Sequence, residues 1–283
     1  MSSAPPSPDP EPQPGGASTP ADERSWPPWF APAAFFSGLA VATLPAAVLG
    51  GVARAAGADP KHPPPAVGIL TTLILQSSLV GAALLFARTR APLAPRLFGL
   101  RRARLASALG WVVLAAVLYV VFSTIWQQAL QLHEKDNLPS QLGADRSTLA
   151  FVLVALLVLV SAPIAEELFF RGFFFTALRN WHGPWLATVL TGLAFGAVHV
   201  FGTPIGFLAP LAFFGAALCV VRWFTGSLYP CFALHAINNS IALGALRHWS
   251  WQIPLVALGA LAIIAALTIP LARLRSAPVA VAA

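Results

Sequence analysis

Between Leu149 and Ala165 the chain carries no charged residue, and seven further stretches of about 20 residues share that apolar character. Inside a bilayer every backbone N–H and C=O must find a partner within the protein, so only helices and closed barrels can span it. A barrel strand alternates apolar and polar residues over short segments, whereas Leu149 to Ala165 is apolar on every side. The chain therefore reads as all-α, a polytopic transmembrane bundle of about eight helices. Composition agrees: 57% of residues are hydrophobic, 10% are charged and the mean hydropathy is +0.74, against about 25% charged residues in soluble domains.

The apolar segments predict helices near 33–53, 66–87, 106–127, 148–180, 184–201, 205–224, 228–246 and 252–270. Arg88, Arg90, Arg96, Arg101, Arg102 and Arg104 crowd the loop between the second and third, which the positive-inside rule places in the cytoplasm. With eight crossings both termini are then cytoplasmic, as expected of a multi-pass protein of a bacterial inner or plasma membrane. Residues 1–28 hold nine prolines and read as a disordered cytoplasmic tail with no signal-peptide pattern. The organisation that follows is this tail, three helices with the basic loop over 29–147, a core over 148–246, and a last helix with its tail over 247–283.

The fourth segment is too long for a simple crossing. At 1.5 Å per residue it reaches about 50 Å, against about 30 Å of hydrocarbon. It has to tilt, break or protrude, with Pro163 as the expected break and Arg179-Asn180-Trp181-His182-Gly183-Pro184 as its terminal turn.

Cys219 and Cys231 both lie in apolar segments, where neither a disulfide framework nor a cysteine-rich zinc site has a basis. The net charge of +7 is concentrated in one inter-helix loop, which is a topology signal. Nucleic acid is accordingly not an expected partner; the lipid bilayer is.

Glu166 and Glu167 are the only acids in any of the apolar segments, and an intramembrane charge marks a functional site by default. Arg171, His199 and His235 join them in the membrane. Glu167 and Arg171 are four apart with the acid N-terminal, the favourable order for a helical pair. Glu166 points about 100° away and is left to face water or a substrate. An antiparallel hairpin about His182-Gly183 puts Glu166 and His199 at equal depth, each the same number of residues from the turn. Gly192, Ala194, Gly196 and Ala197 keep the fifth helix slim enough for close approach. Phe195 with His199, and His235 with Asn239, each project from one helix face.

A free carboxylate, two histidines and an amide have a use in hydrolysis. Glu166 would deprotonate a water, while a histidine and Asn239 would receive the oxyanion of the tetrahedral intermediate. Glu166, His199 and His235 are equally the ligand types of a His2Glu catalytic metal site, zinc above all, with water in the fourth position. Three other readings use the same residues. Cys231, His235 and Asn239 share a face and mimic a cysteine-peptidase set. Glu166 with the histidines fits a proton relay in a coupled transporter. In a non-catalytic adaptor or immunity protein the charges would only brace helices.

Glu166-Glu167-Leu168-Phe169-Phe170-Arg171 resembles the E-E-x-x-x-R motif of the CAAX prenyl endopeptidase type II and bacteriocin-processing (CPBP) family of intramembrane proteases. Phe195 to His199 is similar to its F-x-x-x-H motif and His235 to Asn239 to its H-x-x-x-N motif, in the same order. The resemblance covers about 148–246 and implies a helical intramembrane peptidase whose catalytic groups lie below the cytoplasmic surface. It implies Glu166 as the water-activating base, His199 as its assistant, His235 and Asn239 as the oxyanion site, and Glu167, Arg171 and Phe195 as supporting residues. It also implies a metalloprotease classification and a membrane-associated peptide or protein substrate, prenylated in eukaryotic relatives and bacteriocin-type in some bacterial ones.

Overall fold

The computed structural model describes residues 26–59, 63–132, 138–200 and 202–273. Eight long helices fill them: α1 (Phe30–Ala55), α2 (Pro65–Arg88), α3 (Leu105–Ala129), α4 (148–181), α5 (184–198), α6 (Leu208–Thr225), α7 (Tyr229–Leu246) and α8 (Gln252–Arg273). Each lies within a few residues of a segment expected from hydropathy. The tail read as disordered falls, up to residue 25, outside the described residues.

Length and apolarity alone qualify six helical stretches as membrane spans, with Thr148–Val198 counted as one. Gly183, at φ 81°, divides that stretch into α4 and α5. This left-handed conformation carries little penalty for glycine, and Pro184 fits the first turn of the helix that follows. The short, comparatively polar α7 is not among the six. It carries His235, Asn238, Asn239 and Ser240, whose polarity lowers its hydropathy for a reason that becomes plain at the site.

Neighbouring helices pack as antiparallel pairs: α1 on α2, α5 on α6, α3 on α6, and α7 on α8. Small residues set the closest of these approaches. A Cβ on Gly192 would stand 2.6 Å from the Ala212 carbonyl oxygen, and one on Gly196 would stand 2.8 Å from that of Leu208, so α5 meets α6 nearly backbone to backbone. The outer face of α3 leaves Leu109, Val113, Val117, Val120 and Ile125 exposed, as a lipid-facing helix should.

Pro163 was the expected break in α4, but the helix continues through it. Two π-helical stretches, Leu157–Ser161 and Glu167–Phe174, flank the short α-helical turn Ala162–Glu166. A π stretch absorbs an additional residue and frees backbone groups without ending the helix. The freed groups are used nearby.

Beyond the second π stretch α4 enters an aromatic block. Phe169, Phe170, Phe173 and Phe174 are buried with Trp26, Phe30, Phe98 and Phe195. Trp26, only 1% exposed, packs between Phe98 and Phe173 with tilted rings at centroid distances of 5.3 and 5.0 Å. Asn180 Nδ2 donates to the Trp26 carbonyl at 3.3 Å. The end of the N-terminal tail is thus tied to the arginine-loop end of the bundle.

Candidate active site

The second π stretch places Glu167 and Arg171 together at zero exposure, with Arg171 Nη1 donating to Glu167 Oε1 at 2.9 Å. Arg171 Nη2 donates to the Gly215 carbonyl at 2.9 Å, tying α4 to α6. The guanidinium also lies 4.4 Å from the centre of the Phe195 ring. Phe195 in turn approaches the rings of His199, at 5.0 Å, and His235, at 6.0 Å. The phenylalanine of the F-x-x-x-H motif is therefore the packing surface on which the arginine and both histidines rest. A Cβ on Gly215 would come within 2.8 Å of Phe195 Cβ, so this contact requires glycine on α6.

His235, 4% exposed, gives its Nδ1 proton to Glu167 Oε1 at 2.7 Å. Glu167 Oε1 thus accepts from both Arg171 and His235, an arrangement that desolvation would make costly if either partner were missing. Fixing Nδ1 turns His235 Nε2 toward Glu166, whose Oε2 lies 3.9 Å away. That oxygen is buried and has no hydrogen-bond partner, although the Glu166 side chain as a whole remains 16% exposed.

His199 ends α5 and is partly buried. Its Nδ1 lies 2.7 Å from the Phe195 carbonyl. A carbonyl oxygen only accepts, so the proton is on Nδ1 and the Nε2 lone pair is available. No hydrogen bond joins His199 to Glu166 among the described residues. The Glu166–His199 pairing expected from equal depth gives way to another: Glu166 Oε2 lies 3.9 Å from His235 Nε2 on α7.

Asn239 Nδ2 donates to the Val158 carbonyl at 2.8 Å. That carbonyl is available for a local reason. In the π register Ala162 N–H bonds to Leu157 O, and the next donor in line, for Val158 O, would be residue 163. Residue 163 is proline and has no N–H. Pro163 therefore does not break the helix; it leaves a carbonyl that Asn239 takes up.

Every candidate site residue lies in one region between α4, α5 and α7. Glu167, Arg171, Phe195 and His235 form its buried floor, and Glu166, His199, Asn238 and Asn239 its partly exposed rim. Cys231, fully buried, directs its thiol at the Leu218 and Ser227 carbonyls, at 3.5 and 3.8 Å, and not at His235. Arg222, outside the three motifs, lies in the sixth apolar segment and is fully buried. A Cβ on Gly99 would stand 2.7 Å from its guanidinium, which shows how closely the arginine loop covers it. An arginine inside a predicted span was the available signal.

For a metal, the histidine chemistry is suitable: both Nδ1 positions are anchored and both Nε2 lone pairs are available, as in metal sites with outer-shell support. The geometry is not. Among the described residues no three His, Cys, Asp or Glu side chains gather around one point. A separate apolar cavity of about 770 Å³ opens between α2, α4 and α8, and its lining includes the hydrogen-bonded pair Gln76 and Ser161 but none of the floor or rim residues of the site.

Comparison with known proteins gives this region its context. Residues 148–241 match the family described as type II CAAX prenyl endopeptidase Rce1-like, and all three motifs fall within the match. An Escherichia coli protein described only as an uncharacterized 24.3 kDa protein is 29% identical over 135 residues, 47% of this chain. The alignment spans 62% of that relative's length. No solved structure matches the chain.

Proposed function

We propose, on the premise that residues 148–241 are of the Rce1-like type II CAAX prenyl endopeptidase family, that the chain is an intramembrane endopeptidase. It hydrolyses peptide bonds of membrane-associated substrates, of lipidated or bacteriocin type, with a water activated by Glu166. The observation that carries this reading is the unpartnered, buried Oε2 of Glu166 beside His235 Nε2 at 3.9 Å. A buried carboxylate oxygen is costly to leave unmatched, and a bound water would satisfy it.

In the reaction Glu166 takes a proton from the water as its oxygen attacks the scissile carbonyl carbon, and later returns that proton to the departing amine nitrogen. His199, with its proton committed to the Phe195 carbonyl, offers the Nε2 lone pair that orients the water. The oxyanion site is formed by Asn239, whose second amide N–H donates to it, and by His235 beside it. Glu167 and Arg171 take no part in bond making. They hold His235 and Phe195 at fixed positions, a supporting role in which small displacements cost rate.

The reading is tested by comparing membrane-proximal peptides in cells producing the wild-type chain with those producing Glu166→Gln. Uncleaved precursors should accumulate in the variant, and their identity names the substrate. Identical peptide sets in the two cell lines would overturn the proposal.

A further inference from the structure

The apolar cavity between α2, α4 and α8 lies apart from the site. Glu166 Oε2 faces His235 on α7, whereas the cavity lies on the α2 and α8 sides of α4. Along α2 its lining runs from Ile69 to Leu84, about 22 Å at 1.5 Å per residue. That is longer than the roughly 15 Å of hydrocarbon that one leaflet supplies. Leu84, Leu153, Leu156 and Leu267 in the lining are all exposed, so this groove opens sideways onto the lipid-facing surface.

Its size and polarity select the occupant. A partner helix of that length, about 10 Å across, would need about 1,700 Å³. The cavity offers about 770 Å³, which suits the narrower hydrocarbon chain of a lipid. Gly81 lies in the lining, and a Cβ there would meet nothing within 4 Å, so the space beside it is open to a chain. The polar residues of the lining are Gln76, Ser77 and Ser161, and Ser161 Oγ donates to Gln76 Oε1 at 2.7 Å.

The arginine-loop end carries charge that a head group would complement. Arg88 stands one turn beyond Leu84 on the same face of α2. Arg273 ends α8, which packs there on the loop turn Pro95–Phe98. Both arginines are exposed, and neither has an ion pair among the described residues. No acid occurs in the sequence between Asp59 and Glu134 to neutralise this end. Basic groups beside a groove between membrane helices bind anionic lipid head groups.

We infer that the groove binds an anionic phospholipid from the leaflet on the arginine-loop side, with an acyl chain in the cavity and its phosphate at Arg88 and Arg273. This lipid belongs to the bilayer and is not the substrate. Its chain lies against Ile164 and Leu168, which bracket the paired carboxylates, and so braces the helix that carries them. The inference does not depend on the peptidase reading.

The test places the full chain in phosphatidylcholine nanodiscs with a minor share of phosphatidylglycerol bearing a diazirine in its acyl chain, and locates the crosslinks by mass spectrometry. Crosslinks should concentrate on residues 69–84 and 153–168 and stay sparse on the outer face of α3. A phosphatidylcholine probe with the same chain should label the groove less. Gly81→Phe, or Ser77→Leu should the first not accumulate, fills the groove and should abolish its crosslinks while the α3 background is unchanged. Arg88→Gln should lower phosphatidylglycerol crosslinking about fivefold, the worth of one arginine near an anionic surface, and leave phosphatidylcholine crosslinking as it was. Even labelling of the groove and the α3 face, or equal labelling by the two probes, overturns the inference. Loss of groove labelling on adding a lipidated peptide also overturns it, because the cavity would then be a substrate site. Crosslinking requires no catalysis, so failure of the peptidase reading is seen separately in the Glu166→Gln comparison.

Discussion

His235 donates its Nδ1 proton to Glu167 at 2.7 Å, so the carboxylate that holds the histidine is the sequence neighbour of the one that faces its Nε2. Two adjacent acids on one helix thereby divide the work. Glu167 is the buried anchor for Arg171 and His235, and Glu166 Oε2 is the acceptor without a hydrogen bond.

Removing the anchor should cost stability. Glu167→Ala leaves Arg171 and His235 buried without their shared acceptor and is expected to destabilise the protein by about 3–5 kcal/mol, read as a lowered melting temperature in detergent. Glu167→Gln, which keeps an acceptor oxygen, should lose less. Equal, near wild-type melting of both variants would show that the ion pair does not hold the site together.

Pro163 should matter to rate more than to folding. Pro163→Ala supplies a backbone N–H that competes with Asn239 for the Val158 carbonyl. A helix that gains a donor should melt no lower, while kcat falls about tenfold, the equivalent of one hydrogen bond of about 1.4 kcal/mol. A fall in KM and melting temperature with unchanged kcat would argue against this positioning role.

The contact of α6 with Phe195 allows no additional atom. Gly215→Ala drives a methyl group against Phe195 and should cost about 1–3 kcal/mol by overpacking. Pairing it with Phe195→Leu should relieve part of that cost, because the clash partner has moved, and a double-mutant melting series measures the coupling. Strictly additive losses would place the strain elsewhere.

Exhaustive chelation is expected to leave peptide cleavage within about twofold, since general-base activation of water by a carboxylate can proceed without a metal. The donors Glu166, His199 and His235 do not converge around one point. Loss of activity that zinc alone restores would require the three to rearrange into a ligand set.

What the sequence made legible was local. The helices follow from hydropathy, the Glu167–Arg171 pair from four-residue spacing, and the α4–α5 turn from Gly183 and Pro184. What stayed hidden depends on register between helices. The partner of His235 could not be chosen between Glu166 and Glu167, because the π stretches rotate each side chain in a way that periodicity does not record. The Asn239 contact with Val158 needs the same displaced register. Trp26, at the end of a proline-rich tail, becomes part of the core only because Phe98 and Phe173 meet it from distant segments.

The most direct measurement is single-turnover cleavage of a membrane-anchored peptide by purified Glu166→Gln beside the wild-type chain, with melting temperatures recorded on the same samples. Glu166 acting as general base leads to a loss of about 100-fold to 10,000-fold in rate with melting unchanged. Cleavage at the wild-type rate by a folded Glu166→Gln chain would contradict the assignment of Glu166 as the base.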